Sequence, residues 1–257
     1  MAKGGYVLID IHSHLLWNED DGPATMQQTI NMLQKAVDEG ISDIITTSHF
    51  QHPLYSVNFN QVQNKVNLLQ MELLKYNIPL KIYTGHEARL SPNLAQLVKT
   101  FEVHTLANSK YLLLELPSYS VPLYTFHIVQ ELLKDGITPI IAHPERNHEI
   151  FENPLLLEKL VRNGVLAQIT AGSLTGHFGR KVQKFSLDLV KANLIHTYGS
   201  DVHNLKARPF LFKEGLCFLE KKGLLDYVYI LIGNNKNIIK NKQLIILEPE
   251  RIKKRRW

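Results

Sequence analysis

Apolar residues along the chain come in two rhythms. Seven short runs, YVLIDIH from Tyr6, SDIITTSH from Ser42, LKIYTGHE from Leu80, YLLLELP from Tyr111, ITPIIAHP from Ile137, VLAQITAG from Val165 and IHTYGSDVH from Ile195, are rich in Ile, Val, Leu and Tyr with little polar alternation. Runs of this kind mark strands covered on both faces, as in a parallel sheet. Between them the spacing lengthens: Met26, Ile30, Leu33, Ala36 and Val37 repeat at helical intervals, and Gly40 ends that helix. Further helices are predicted over 59–76, 91–101, 122–134, 154–162, 180–192 and 209–222; several start at Pro or after Ser or Asn and stop before Gly136, Gly164 or Gly223. Strand and helix alternate about seven times, which predicts either a parallel α/β barrel or a doubly wound open sheet. No repeat, low-complexity linker or compositional shift marks a boundary, so residues 1–257 are read as a single domain.

The residues able to do chemistry sit at one end of these strands. His12 and His14 close the first strand, His49 the second, Glu87 the third, Glu115 the fourth, His143 the fifth, and Asp201 and His203 the seventh. All are C-terminal ends, which in a parallel barrel converge on the face that carries active sites. Alternate residues of a strand point the same way, so His12 and His14 can grip one ion while Ser13 points away. The same spacing returns at Asp201 and His203, and closure of a barrel makes the two pairs neighbours. Asp21, on the loop after the first strand, reaches the same mouth, with Asp20 as its competitor. Packing so many carboxylates and imidazoles together without counter-charge is costly, and bound cations relieve that cost. Imidazole and carboxylate donors without thiolates suit zinc, manganese or iron(II) better than magnesium or calcium. The donors exceed what one ion uses, so two or three ions are expected, of the kind that activates water and clamps phosphoryl oxygens.

Composition narrows the partners. With 44% hydrophobic and 21% charged residues the chain has the balance of a soluble enzyme, and no apolar run reaches the roughly 18 residues that span a membrane. A polar start running straight into a strand lacks a signal-peptide pattern, so a cytoplasmic location is expected. The net charge of +5 is matched by Arg251, Lys253, Lys254, Arg255 and Arg256 in a short basic C-terminal tail. The body is therefore near neutral, which argues against nucleic acid as a partner. Cys217 is the single cysteine, excludes a disulfide framework, and has Gly223 where cysteine-based phosphatases carry arginine. It is assigned to core packing on a helix.

Seven motifs in order, DIHSHLLWNEDDG, TTSHF, GHEARL, LLLELP, IIAHPERN, QITAGSLTGHFG and GSDVHN, resemble the polymerase and histidinol phosphatase (PHP) superfamily over residues 9–208. Within it they are most similar to the bacterial manganese-dependent protein tyrosine phosphatases that regulate capsule and exopolysaccharide synthesis. The D-x-H-x-H opening with a late G-S-D-x-H is specific for the superfamily; AHPER and LLLELP narrow it to the phosphatase branch. The resemblance implies the PHP fold, a distorted TIM-like (β/α)7 barrel. It implies metal ligands at His12, His14, Asp21, His49, Glu87, Glu115, His143, Asp201 and His203, holding two or three manganese ions, with iron or zinc as alternatives. One ion would take His12, His14 and Asp201 with Glu87 as a bridge; a second Glu87, Glu115 and His143; a third Asp21, His49 and His203. Arg146 and Arg208, three and five residues after ligand histidines, are implied to be catalytic and to bind phosphate oxygens in bidentate fashion. His86 stands where relatives commonly carry Gln and is left out of the ligand set. His52, His104, His127, His148, His177 and His196 lack motif support; His177, on the glycine-flanked loop after the sixth strand, is singled out as the exception that opens on the active face.

The implied reaction is hydrolysis of a phosphomonoester by metal-activated water without a covalent phosphoenzyme. The implied substrate is the phosphorylated tail of a bacterial tyrosine kinase, toward which the basic C-terminal run is suited to dock. Phe50 and Tyr55, in FQHPLYSVNFN, are expected to contact the phosphotyrosine ring, with Phe59, Tyr119 and Tyr124 completing an aromatic rim. The alternatives are a histidinol-phosphate phosphatase, with the same chemistry on a small alkyl phosphate, and a metal-binding PHP module without turnover.

Overall fold

The computed structural model describes residues 7–252. Tyr6, the expected start of the first strand, and the basic run from residue 253 onward lie outside the described residues. Seven parallel strands follow one another in chain order: β1 (Leu8–Ser13), β2 (Ile41–Phe50), β3 (Lys81–Arg89), β4 (Tyr111–Glu115), β5 (Thr138–Ala142), β6 (Leu166–Thr170) and β7 (Thr197–Gly199). The connections carry α1 (Met26–Asp38), α2 (Phe59–Lys75), α3 (Leu94–Lys99), α4 (Thr125–Lys134), α5 (His148–Glu152), α6 (Leu155–Arg162), α7 (Ala171–Thr175) and α8 (Arg180–Lys191), and α9 (Phe212–Lys221) and α10 (Leu225–Ile239) follow β7. The order never reverses, and Ser13 bridges Val202 in parallel, so the sheet is a nearly closed barrel and not an open doubly wound one.

Two apolar clusters follow from the strand alternation. The larger lies between strands and helices; the smaller gathers Ile9, Ile11, Ile45, Tyr111, Leu113, Ile140, Ala142 and Leu166 from five strands. Continuing the i, i+2 series of this inner set leads to the polar ends: Ile45 to Thr47 to His49, and Tyr111 to Leu113 to Glu115. The barrel interior is thus apolar below and ionisable above. In β1 a register irregularity between Asp10 and Ser13 shifts the phase, so that Ile9 and Ile11 join the inner cluster while His12 and His14 also turn inward above it.

The seam between β1 and β7 is closed from below by α10, a helix that the sequence pattern does not announce. Asn235, buried on that helix, donates from Nδ2 to Ile9 O (2.7 Å) and Tyr198 O (2.6 Å) and accepts from Tyr198 N. It replaces ladder hydrogen bonds that the short β7 cannot make, and unpaired buried backbone groups are expensive. On α9, Phe212, Gly215, Leu216 and Leu219 form the buried stripe, which leaves Cys217 exposed; the cysteine is helical as expected, but it is not in the core.

Buried His196, just before β7, gives the fold a pH dependence independent of the strand ends. Its Nδ1 accepts from Ala167 N (3.1 Å), its Nε2 has no partner, and burial lowers its pKa to about 4. The unfolded ring titrates near 6.5. Below that value the unfolded chain takes up a proton that the folded one refuses, so stability falls as pH drops toward 4. The expected loss from this residue is about 2 kcal/mol by pH 5. Urea unfolding at pH 7 and pH 5 should show a smaller difference in a His196→Gln variant than in wild type by about that amount.

Candidate metal centre

The C-terminal strand ends, with Asp21 from the loop after β1, bring the nine expected ligands together at the barrel mouth. Their donor atoms fall into three groups, each with its atoms within 4.8 Å of one another: His12, His14, Glu87 and Asp201; Glu87, Glu115 and His143; and His14, Asp21, His49 and His203. Glu87 and His14 each belong to two groups. The first and last strands meet here because Asp201 N donates to His12 O (2.8 Å) and His14 N to Val202 O (2.9 Å). Asp201 and His143 lie in left-handed backbone, at φ 56° and 35°, a conformation that costs energy in non-glycine residues and collects at functional sites. Gly199 is required beside them: a Cβ there would stand 2.7 Å from the His12 Cβ.

The outer hydrogen bonds fix how the histidines face. Gln168 Nε2 donates to Ile169 O (2.7 Å), so its Oε1 faces His12 Nδ1 at 3.0 Å and that nitrogen carries the proton. His14 Nδ1 donates to Asp20 Oδ2 at 2.9 Å. In the neutral rings both Nε2 lone pairs therefore point inward, 3.4 Å apart. Glu87 Oε2 lies 3.3 Å from each, and Asp201 Oδ1, which has no hydrogen bond, 3.3 and 3.6 Å away. Four buried acceptors thus converge without a donor. Ligands at about 2.0–2.2 Å from a tetrahedral ion have edges of about 3.3–3.6 Å, so the set fits a first-row divalent cation.

Without ions the site can relieve this convergence only by taking up protons. Burial alone would lower the His14 pKa, but the Asp20 carboxylate and then Glu87 hold it well above the usual value. Burial would raise the Asp201 carboxyl; Arg146, His12 and Arg208 hold it well below the carboxylate range. His143 is pushed down to about 4 by burial and by Arg146, and His203 to about 4 by burial and by His14.

Above the clustered donors opens a cleft of ≈ 270 Å³, lined by Asp21, His49, Glu87, Glu115 and His143 on its floor and by His52, Leu116, Ser118, Asn147, Arg146 and Arg208 on its walls. Arg146 and Arg208 both donate to Asp201 Oδ2, the latter at 2.7 Å. Two guanidinium groups from different loops therefore meet at one point beside the floor.

None of the aromatic residues expected at the mouth, Phe50, Tyr55, Phe59, Tyr119 and Tyr124, is among those lining the cleft. Phe50 is 7% exposed, belongs to the main core and packs 5.2 Å from the His86 ring, because it alternates with His49 and turns outward from the barrel; it does not line the cleft. Phe59 stacks on His104 at 3.6 Å and is outside the cleft lining. Tyr55 is half-buried and outside the cleft lining, nearly parallel to His52 (5.6 Å) and His49 (6.1 Å). Tyr119 is exposed beside His148. His52, a wall residue, stacks on His49 at 4.6 Å, and nothing in its sequence context distinguishes it from a surface histidine. His177 is exposed and donates to Ala207 O (2.7 Å), so it braces a loop and holds no ligand position.

The family described as "Capsular polysaccharide synthesis, CpsB/CapC" matches residues 8–240. The chain belongs to the CpsB/CapC family. Tyrosine-protein phosphatase YwqE of Bacillus subtilis is 39% identical over 97% of this chain and 98% of its own length. CapC of Staphylococcus aureus is 36% identical over 97% and 98%. A crystal structure from work on YwqE and on CpsB of Streptococcus pneumoniae, described as metal-dependent tyrosine phosphatases, superposes with a TM-score of 0.94 at 39% identity, over 96% of this chain and 100% of that one.

In this CpsB/CapC chain the two neighbouring aspartates divide the work. Asp20 faces His14 Nδ1 and accepts from His49 N (3.2 Å) and Gly22 N (3.0 Å), whereas Asp21 Oδ1 faces the imidazoles of His203 (3.1 Å) and His49 (3.5 Å). Asp21→Asn is expected to bind one ion fewer at saturating metal. Asp20→Asn should keep the full count but bind about 10- to 100-fold more weakly, as when a carboxylate orienting a ligand histidine is lost. Metal titration followed by elemental analysis separates the two.

Proposed function

We propose that this protein is a metal-dependent phosphatase acting on phosphotyrosine, with the nine clustered residues as its ligand set. What carries the reading is the convergence of four buried acceptors beneath a cleft that bears two arginines, in a chain so similar to YwqE. Manganese is the first choice of metal, with iron or zinc fitting the same nitrogen and oxygen donors. When bound, such ions supply the positive charge that activates a water and offsets charge on the phosphoryl oxygens.

The chain's own groups do the rest. Arg146 and Arg208 turn from Asp201 to the equatorial phosphoryl oxygens and hold the phosphorus over the floor, where a loose transition state gains most from fixed positive charge. Gln168 and Asp20 keep His12 and His14 in one tautomer and one orientation, so the donors are set before substrate arrives. The phenol that leaves has a pKa near 10, so it departs with less protonic help than an alkoxide. His52, stacked against Tyr55, gives the cleft wall a ring against which a tyrosyl group can pack.

The physiological substrate under this reading is the phosphorylated tail of a tyrosine kinase serving capsule or exopolysaccharide synthesis, in the cytoplasm. In support, the family description concerns capsular polysaccharide synthesis, and no helix among the described residues is long and apolar enough to cross a membrane. Hydrolysis of a phosphotyrosyl peptide with and without added manganese, beside histidinol phosphate, tests the proposal. Metal-dependent turnover of the peptide alone is expected; preference for histidinol phosphate would shift the activity to a small-molecule phosphatase.

A further inference from the structure

We propose that Phe178 is a positioning residue for Arg146, holding the guanidinium flat for phosphate; the proposal rests on the phosphatase reading above. The guanidinium carbon of Arg146 stands 4.9 Å from the centre of the Phe178 ring. A cation within about 6 Å of a ring centroid is attracted by the electron-rich face. The other restraints on this side chain act at one edge or from a distance: one terminal nitrogen donates to Asp201, Nε is buried without a hydrogen bond, and the neighbouring Glu145 carboxylate is turned to Thr170 (2.8 Å). The ring therefore supplies the face support that the hydrogen bonds lack.

The turn that carries Phe178 is built for this placement. The ring lies against Gly172, where a Cβ would stand 2.8 Å from its Cε2, so a larger residue there would displace the ring. His177 N donates to Gly172 O (2.9 Å), and His177 Nε2 donates to Ala207 O (2.7 Å), the residue before Arg208. One turn after β6 thus touches both loops that bear the arginines, although neither of its aromatic residues lines the cleft. This accounts for the T-G-H-F-G segment that the ligand set leaves unused.

The test separates a flat ring from mere bulk. Phe178→Leu keeps an apolar side chain and removes the ring face; Phe178→Tyr keeps the face. With manganese-loaded protein and a phosphotyrosyl peptide, the Leu variant is expected to lose about five- to tenfold in kcat/KM, and to be inhibited by inorganic phosphate more weakly by a similar factor, while the Tyr variant stays within about twofold of wild type. In an Arg146→Met background the Leu substitution should change kcat/KM by less than about twofold, because the cation it supports is gone. A Leu variant equal to wild type, or a loss that persists in full without Arg146, overturns the proposal. Wild-type protein that fails to turn over the peptide would instead overturn the phosphatase reading. Calorimetric binding of inorganic phosphate to wild type and Phe178→Leu then still decides the role of Phe178: weaker binding in the variant supports it, equal binding refutes it.

Discussion

Glu87→Gln is expected to remove more than one ion and to lower turnover by about 10³-fold or more, the largest effect of any single side chain at the site. Glu87 Oε2 lies 3.3 Å from nitrogens of His12, His14 and His49, and Oε1 lies 2.7 Å from His143 Nε2. It is the one carboxylate shared by two donor groups. Burial alone would raise its pKa, yet His12 first, and then His14 and His143, hold it well below the carboxylate range. An amide keeps the shape, removes the charge and turns one acceptor into a donor aimed at imidazole lone pairs. Elemental analysis of purified variants checks the count: Asp21→Asn should lose one ion and Glu87→Gln more than one. Unchanged metal content with unchanged kcat would remove Glu87 from the ligand set and the two-group bridge with it.

Strand periodicity is what makes the donor cluster legible in the sequence. In a barrel of parallel strands the inward series runs up one side of each strand, so an apolar run ending in His or Glu places that residue at the mouth whatever the curvature of the sheet. Tyr111, Leu113 and Glu115 show this without complication. β1 shows its limit: the register irregularity after Asp10 inserts a phase shift, and only the i, i+2 relation of His12 and His14 survives it. Asp10 itself, in the same motif, is turned to Ser200, accepting from its hydroxyl and its N–H (2.9 Å), and burial raises its pKa to about 6. Its sequence position says nothing of that.

Residues outside strands are harder to read, for identifiable reasons. Phe50 follows a ligand and on that ground is expected at the mouth, but the residue after an inward one points outward, and β2 runs one residue longer than the apolar run. His52 and Phe178 sit on loops whose path depends on tertiary contacts, with His49 and Arg146 respectively. α10 is hidden because its buried face carries Asn234 and Asn235, which local pattern reads as turn residues. Their polarity is a tertiary matter: they satisfy the backbone of β1, β7 and the C-terminal segment.

The arginines should rank next after Glu87. Each is expected to cost about 10²- to 10³-fold in kcat/KM when replaced by Met, the range for losing one preorganised donor to a transition-state oxygen. Lys should recover part of that loss, since it restores the charge but not the planar fork. The double variant should lose less than the product of the single losses. In this structure both guanidinium groups meet on one carboxylate oxygen, Asp201 Oδ2, and in the complex they are to meet on one phosphoryl group. Two side chains that act on a single group are coupled, and coupled losses do not add. Metal content should stay unchanged in all three variants, because neither arginine is a ligand. Independent, multiplying losses would mean that the two act on different parts of the substrate, with one of them gripping the peptide and only the other the phosphate.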